Sequence, residues 1–341
     1  MRKFYGFLSL ILFFLLCISI AYNFYLQYKN FILYINQPLS DKDEVVNIYI
    51  PPASTAKKVL QILKENEFDI NKYYFLYWIK KNKLGNKLKA GEYAIRRNYS
   101  INQILSIIIT GKSEIHKFTI KEGQTINEII EELSKRKIIN KDIFFNYLNN
   151  STFIKQITNL EVNSLEGFFF PDSYDIPKYL KEEQIIRKFV DRFNQVTKQL
   201  FEENQTKLSK YDIIKLASII EKEAAVDTER AIISGVYHNR IKKGMKLEAD
   251  PTILYTMNGY KNKLTYKDLE IQSDYNTYLY SGFPPTPICN PGIKSIEAAL
   301  KPAKHNYLFF VSKGNGTHYF SKTIQEHKRA IKLIKELSIS Q

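Results

Sequence analysis

Residues 4–28 carry no charge, and this stretch limits what the rest of the chain can be. Phe7 to Ala21 is mostly Leu, Ile and Phe. At about 1.5 Å per residue, a helix of this length exceeds a hydrocarbon core of roughly 30 Å. Tyr5 stands near one end, and Tyr22, Tyr25 and Tyr28 near the other, where aromatic belts belong. Arg2 and Lys3 precede the segment, so residues 1–3 are expected in the cytoplasm and everything beyond the anchor outside it. A cleaved signal peptide fits less well, because the apolar run is long and no small-x-small site follows it. Cys17 follows bulky Leu16, unlike a lipoprotein signal.

That topology bounds the remaining readings. Of two cysteines, only Cys289 lies beyond the anchor, so no intramolecular disulfide is expected there. Apolar residues make up 44% of 341, enough for a sizeable core. Five scattered histidines show no ligand spacing, so no metal and no cofactor is expected. A net charge of +15 would suggest nucleic acid for a cytosolic protein. On an exported chain it points instead to anionic lipid or an acidic wall polymer, and no nucleic-acid partner is expected.

After a connector over residues 29–43 comes a repeat. Ile48-Tyr49-Ile50 leads through Pro51-Pro52 and Thr55 into a helical pattern at Val59, Leu60 and Leu63. Seventy residues on, Phe118-Thr119-Ile120 leads through Glu122-Gly123 and Thr125 into Ile129, Ile130 and Leu133. Each unit reads as strand, tight turn, Thr cap and amphipathic helix. This repeat region spans residues 44–150. In the third region, residues 160–337, Gly167 to Tyr174 reads as an apolar strand closed by a Pro-Asp turn. Helices are expected over 181–203, 211–224 and 228–243, then about forty residues of tyrosine-rich loop. A hairpin around Lys313-Gly314-Asn315-Gly316 and a basic terminal helix follow. The fold class is α+β.

The helix over 211–224 carries two carboxylates that interrupt its apolar arc. With Ile213 at zero, Glu221 falls near about 80° and Glu223 near about 280°. A carboxylate against apolar neighbours tends toward a raised pKa, which suits a general acid. Pointing about 160° apart, the two are not a glycosidase pair. A single-carboxylate cleavage, in which the substrate supplies its own nucleophile, is the form that remains. Arg230 or Arg240 could pair with either glutamate, and Glu223 is the better candidate for such a structural ion pair. No Ser-His-Asp or Cys-His arrangement and no phosphate-binding glycine loop is readable.

These blocks resemble the MltG (YceG-like) family of membrane-anchored endolytic murein transglycosylases. The resemblance rests on Leu165-Glu166-Gly167 with Phe170-Pro171-Asp172-Ser173-Tyr174, on Leu216 to Ala224, and on Glu229-Arg230 and Asn239-Arg240. It continues through Ala249-Asp250-Pro251-Thr252, Tyr275-Asn276-Thr277-Tyr278, Gly282-Phe283-Pro284-Pro285, Asn290-Pro291-Gly292, Pro302-Ala303 and the Tyr307 to Phe320 hairpin. It implies LysM-like modules over the repeats, followed by a mixed α/β catalytic domain. It also implies Glu221 as the catalytic residue and Glu166, Asp250, Tyr275, Asn276, Asn290, Ser218 and His318 as substrate-cleft residues. The implied reaction cuts the MurNAc-β-1,4-GlcNAc bond of nascent peptidoglycan, leaving a 1,6-anhydroMurNAc end. The implied setting is the bacterial inner membrane, beside peptidoglycan synthases or divisome proteins. The first repeat departs from the second in having Pro51-Pro52 where the second has Glu122-Gly123. The alternative is a non-catalytic peptidoglycan-binding scaffold on the same fold.

Overall fold

A computed structural model of the protein describes residues 2–111, 115–177, 180–204, 206–257 and 264–339, with the side chains of 2–11, 115, 338 and 339 outside that description. The chain divides into two compact units, residues 1–116 with 177–179, and residues 117–176 with 180–341.

The first unit opens with helix α1 (Arg2–Asn36). Among the described residues, no helix is long and apolar enough to cross a membrane. The expected span over 4–28 begins in side chains, 4–11, that lie outside them. Leu12, Phe13, Phe14, Leu15, Leu16, Ile18 and Phe24 are exposed all around α1, whereas Phe31 and Ile35, one turn apart, are buried. Phe31 packs its ring on Tyr74, Tyr77 and Trp78. The segment expected as a connector is thus partly core, because those two apolar side chains pin the helix down. Strand β1 (Val45–Ile50) then leads through Thr55, whose hydroxyl caps helix α2 (Ala56–Glu65). Asn71 caps helix α3 (Lys72–Lys81). Strand β2 (Gly91–Arg96) returns antiparallel to β1, and helix α4 (Ile101–Thr110) carries a Ser100–Gln103 capping box. Ile48, Ile50, Tyr93 and Ile95 alternate inward onto Val59, Leu60 and Leu63.

The second unit repeats this order. Strand β3 (Ile115–Thr119), helix α5 (Ile126–Lys135) capped by Thr125, and helix α6 (Lys141–Leu148) capped by Asn140 come first. Helix α7 (Ser151–Thr158) intervenes before strand β4 (Ser173–Pro177), which pairs with β3. The sequence places both repeats in one region ending at residue 150. In the structure Phe118, Ile120, Ile129, Ile130 and Leu133 instead share a core with Ile213, Leu216 and Ile220, far along the chain. The first repeat buries its apolar face in a core of its own.

Helices α8 (Glu182–Glu203), α9 (Lys210–Glu223), α10 (Asp227–Lys242), α11 (Asp250–Thr256) and α12 (Ile293–Leu300) follow. A hairpin of β5 (Phe309–Ser312) and β6 (His318–Ser321) and helix α13 (Ile324–Ile339) complete the unit. Helix α9 is central, with α10, α11 and α12 packed on it. Ile213, Ile214, Leu216, Ala217, Ile219 and Ile220 are all fully buried.

The segment expected as a strand, Gly167 to Tyr174, is a buried loop up to Pro171. Its amides are taken by a side chain rather than a neighbouring strand: Gly167 and Phe169 donate to Asn290 Oδ1 at 3.1 and 2.9 Å. Gly167 sits at φ +87°, and a Cβ there would meet Ile214 and Pro287 at 2.8 Å. Gly167→Ala should therefore cost about 2–4 kcal/mol from left-handed strain plus overpacking, read as a lowered Tm in thermal unfolding.

Candidate active site

The C-terminal half of α9 is covered by the loop Ile288–Gly292. Ile288 N–H donates to Ser218 Oγ at 3.0 Å, and Cys289 Sγ donates to the Ser218 carbonyl at 3.3 Å. One turn on, Gly292 N–H donates to Glu221 Oε2 at 2.9 Å, just where α12 begins. The carboxylate thus stands at a helix N-terminus, where negative charge is favoured. Its other oxygen, Oε1, lies 3.3 Å from Arg230 Nη1. Arg230 is itself fixed by Ser295 Oγ and by Asp227, whose Oδ1 accepts from Nε at 3.1 Å. The Glu221 side chain keeps only 6% of its surface exposed.

Two expectations change here. The wheel set Glu221 among apolar neighbours, but its carboxylate head meets a backbone amide and a guanidinium. The structural ion pair assigned to Glu223 belongs to Glu221. Arg240 turns away to Glu248, at 2.8 Å, and to the carbonyls of Leu247 and Leu308. Glu223 accepts from Tyr237 Oη at 2.9 Å. Burial pushes the Glu223 carboxyl up to about 7, against the opposing pull of that hydrogen bond.

A second carboxyl lies deeper. Glu166 is 4% exposed. It accepts from Ile126 N–H at the start of α5 (3.1 Å), from Asn290 Nδ2 (3.2 Å) and from Tyr255 Oη (3.3 Å). Burial outweighs these bonds and raises its pKa to about 8. Tyr255 in turn packs on Tyr275 with ring centroids 5.1 Å apart. Tyr275 Oη shares a 2.8 Å hydrogen bond with Thr286.

Glu166, Asn290 and Tyr275, distant in sequence, therefore form one connected cluster, with Ser218 holding the same loop from below. The other sequence candidates stand apart from it. Asp250 is exposed and accepts from Tyr278 Oη at 2.6 Å. Asn276 is buried and spends its amide on Leu269 and Ile271 carbonyls within its own loop. His318 is bound through Nδ1 to Glu229 Oε2 at 2.7 Å, anchoring the hairpin to α10. Tyr237, Tyr255 and Ser295 carry site contacts that no sequence motif announces. Tyr237 alone was traceable, lying two turns from Arg230 on one face of α10.

The fold is α+β, with a helix-borne carboxylate held by the loop that carries Asn290-Pro291-Gly292. The model of the YceG-like family matches residues 48–333, and the chain belongs to that family. It is 34% identical over 305 residues to the endolytic murein transglycosylase of Bacillus subtilis, covering 85% of both chains. It is 28% identical over 174 residues to the protein of that name in Streptococcus pneumoniae D39, covering 49% of this chain and 32% of that one. A crystal structure of a YceG-like protein from Listeria monocytogenes superposes with a TM-score of 0.56 at 32% identity, covering 84% of this chain and 99% of that one.

The buried carboxyls make stability depend on pH. Between the unfolded value near 4.5 and about 8, the folded protein holds the Glu166 proton that the unfolded chain releases. Stability should therefore fall as pH rises through that window and level off above it. Glu166→Gln should flatten the fall in Tm measured from pH 5 to pH 8.5. Glu223→Gln should flatten only the part below about 7.

Proposed function

We propose that the protein is a membrane-anchored endolytic lytic transglycosylase that cuts the MurNAc-β-1,4-GlcNAc bond of peptidoglycan and leaves 1,6-anhydroMurNAc ends. Family membership and the transglycosylase relatives support the reaction class. The observation that carries the residue assignment is the unequal holding of the two Glu221 oxygens. Oε2 is pinned by Gly292 N–H at 2.9 Å. Oε1 is held at 3.3 Å by the guanidinium of Arg230 and not by the main chain. Oε1 is therefore the oxygen that carries the transferred proton.

Protonated Glu221 gives its proton to the glycosidic oxygen, and the C1–O4 electron pair leaves with GlcNAc. The MurNAc acetamido oxygen bonds to C1 and holds the positive charge. Glu221, now a carboxylate steadied by Arg230 and Gly292, takes the proton of the C6 hydroxyl as O6 closes on C1 and displaces the acetamido oxygen. One glutamate acts as acid and then as base, and no water is consumed. Asp250, exposed, and Tyr275, half-buried, are the candidates for direct sugar contact. Glu166, Asn290, Ser218, Asn276 and His318 act as the frame, since their polar atoms are already engaged.

The two strand–helix–helix–strand repeats act as LysM-like glycan-contacting modules, a reading supported by their order and seventy-residue offset. The anchor reading is supported by the apolar side chains exposed around α1. It holds the enzyme on the outer face of the cytoplasmic membrane, where cutting nascent strands beside the synthases terminates their elongation.

The full chain in detergent, digesting purified sacculi, should release anhydro-ended fragments detectable by mass spectrometry. Glu221→Gln should lower their yield at least about 100-fold at unchanged Tm. Equal product from that variant would remove Glu221 from the chemistry. Full-length protein should sediment with membranes and resist carbonate extraction, whereas a chain lacking residues 1–21 should not.

A further inference from the structure

The turn that opens the second repeat reaches the candidate active site. Gly123 N–H donates to the Asn290 carbonyl at 2.9 Å, and Lys222 Nζ donates to the Gly123 carbonyl at 3.3 Å. A Cβ on Gly123 would stand 3.8 Å from Glu221 Cγ, so the turn lies directly on the Glu221 side chain. Its neighbour Glu122 is exposed, and its carboxylate crowds Gly292. A Cβ on Gly292 would collide with that carboxylate, and Glu122 Cγ would be 2.9 Å away. Gly292 is also the residue whose N–H holds Glu221. Standard backbone dimensions then put the Glu122 and Glu221 carboxylates within about 7 Å of each other. Lys294, bound to Asp227, places a positive charge at this end of α12, and Lys222 places another beside the turn.

We infer that Glu122 is a second catalytic carboxylate of the site, provided by the repeat and not by the helical scaffold. The inference rests on the glycan-cleaving reading of Glu221. When the C1–O4 bond breaks, positive charge develops at C1 and the ring oxygen. A fixed negative charge a few ångströms away lowers the energy of that state more than of the neutral ground state. Glu122 forms no bond and carries no proton in this role. The proton moves from Glu221 to O4 and then from the C6 hydroxyl back to Glu221. The first repeat has Pro51-Pro52 at the matching turn and supplies no such charge.

The test is steady-state cleavage of solubilised glycan strands by the full-length protein, with products read by mass spectrometry. Glu122→Gln should lower kcat about 10- to 1,000-fold with KM changed less than threefold, Tm unchanged and the residual products still anhydro-ended. Gly292→Ala has a compatible backbone (φ −72°) and places a methyl where the carboxylate stands. It should mimic Glu122→Gln, and the double variant should lose no more than either single one. A Glu122→Gln rate within twofold of wild type would overturn the inference. So would a loss confined to KM or accompanied by a lowered Tm. Reducing-end, hydrolysed product that disappears in Glu122→Gln would also overturn it, by making Glu122 a water-activating base. Wild-type protein that makes no anhydro-ended product would sink the functional reading itself, an outcome distinct from an active wild type with an equally active Glu122→Gln.

Discussion

The fully buried carboxamide of Asn290 is the contact on which the catalytic unit depends. Its oxygen accepts from Gly167 and Phe169, and its nitrogen donates to the Gln124 carbonyl and to Glu166. All the bonds an Asn side chain offers are used, on two segments that each lie more than a hundred residues before it. A buried amide in this position is costly to leave unpaired, so its partners are held in one geometry. The same residue's backbone bonds the Gly123–Gln124 turn in both directions. Once Asn290 is seated, Gly292 is carried to Glu221, and the turn bearing Glu122 is carried to Gly292.

That arrangement separates three glutamates that look alike in sequence. Glu221 is met by a backbone N–H and a guanidinium. Glu166, buried, and Glu223, half-buried, have too few donors to offset desolvation, and both are pushed upward. Burial by itself therefore does not set Glu221 apart from the other two. What distinguishes Glu221 is one oxygen held by the main chain and one by the Arg230 guanidinium. Glu166, pushed up to about 8 by burial, instead sits inside the frame, accepting from Ile126, Asn290 and Tyr255.

Much of the secondary structure was legible because it is written in short-range chemistry. Thr55 and Thr125 cap the helices that the apolar spacing marks out, and the hairpin follows from Gly314 and Gly316. The seventy-residue repeat was legible for the same reason. The phenylalanine run at 168–170 was misread as a strand. A continuous apolar run signals burial, but which groups satisfy its amides depends on Asn290, about 120 residues away. Residues 29–43 read as a connector for a similar reason, since only the packing of Phe31 and Ile35 makes that segment part of a core.

The sequence by itself determined the family, the helix that carries Glu221, and the 160° separation that sets Glu223 apart. These follow from local periodicity and from motifs that survive in linear order. Only the tertiary structure decided which cation meets Glu221, that Glu166 joins Asn290 and Tyr255, and that the second repeat belongs to the catalytic unit. Only it brings Glu122 beside Glu221, 99 positions away in the chain. Those are facts about long-range closure, set by where the buried amide of Asn290 and the apolar faces of α5 and α9 find partners. No periodicity along the chain encodes them.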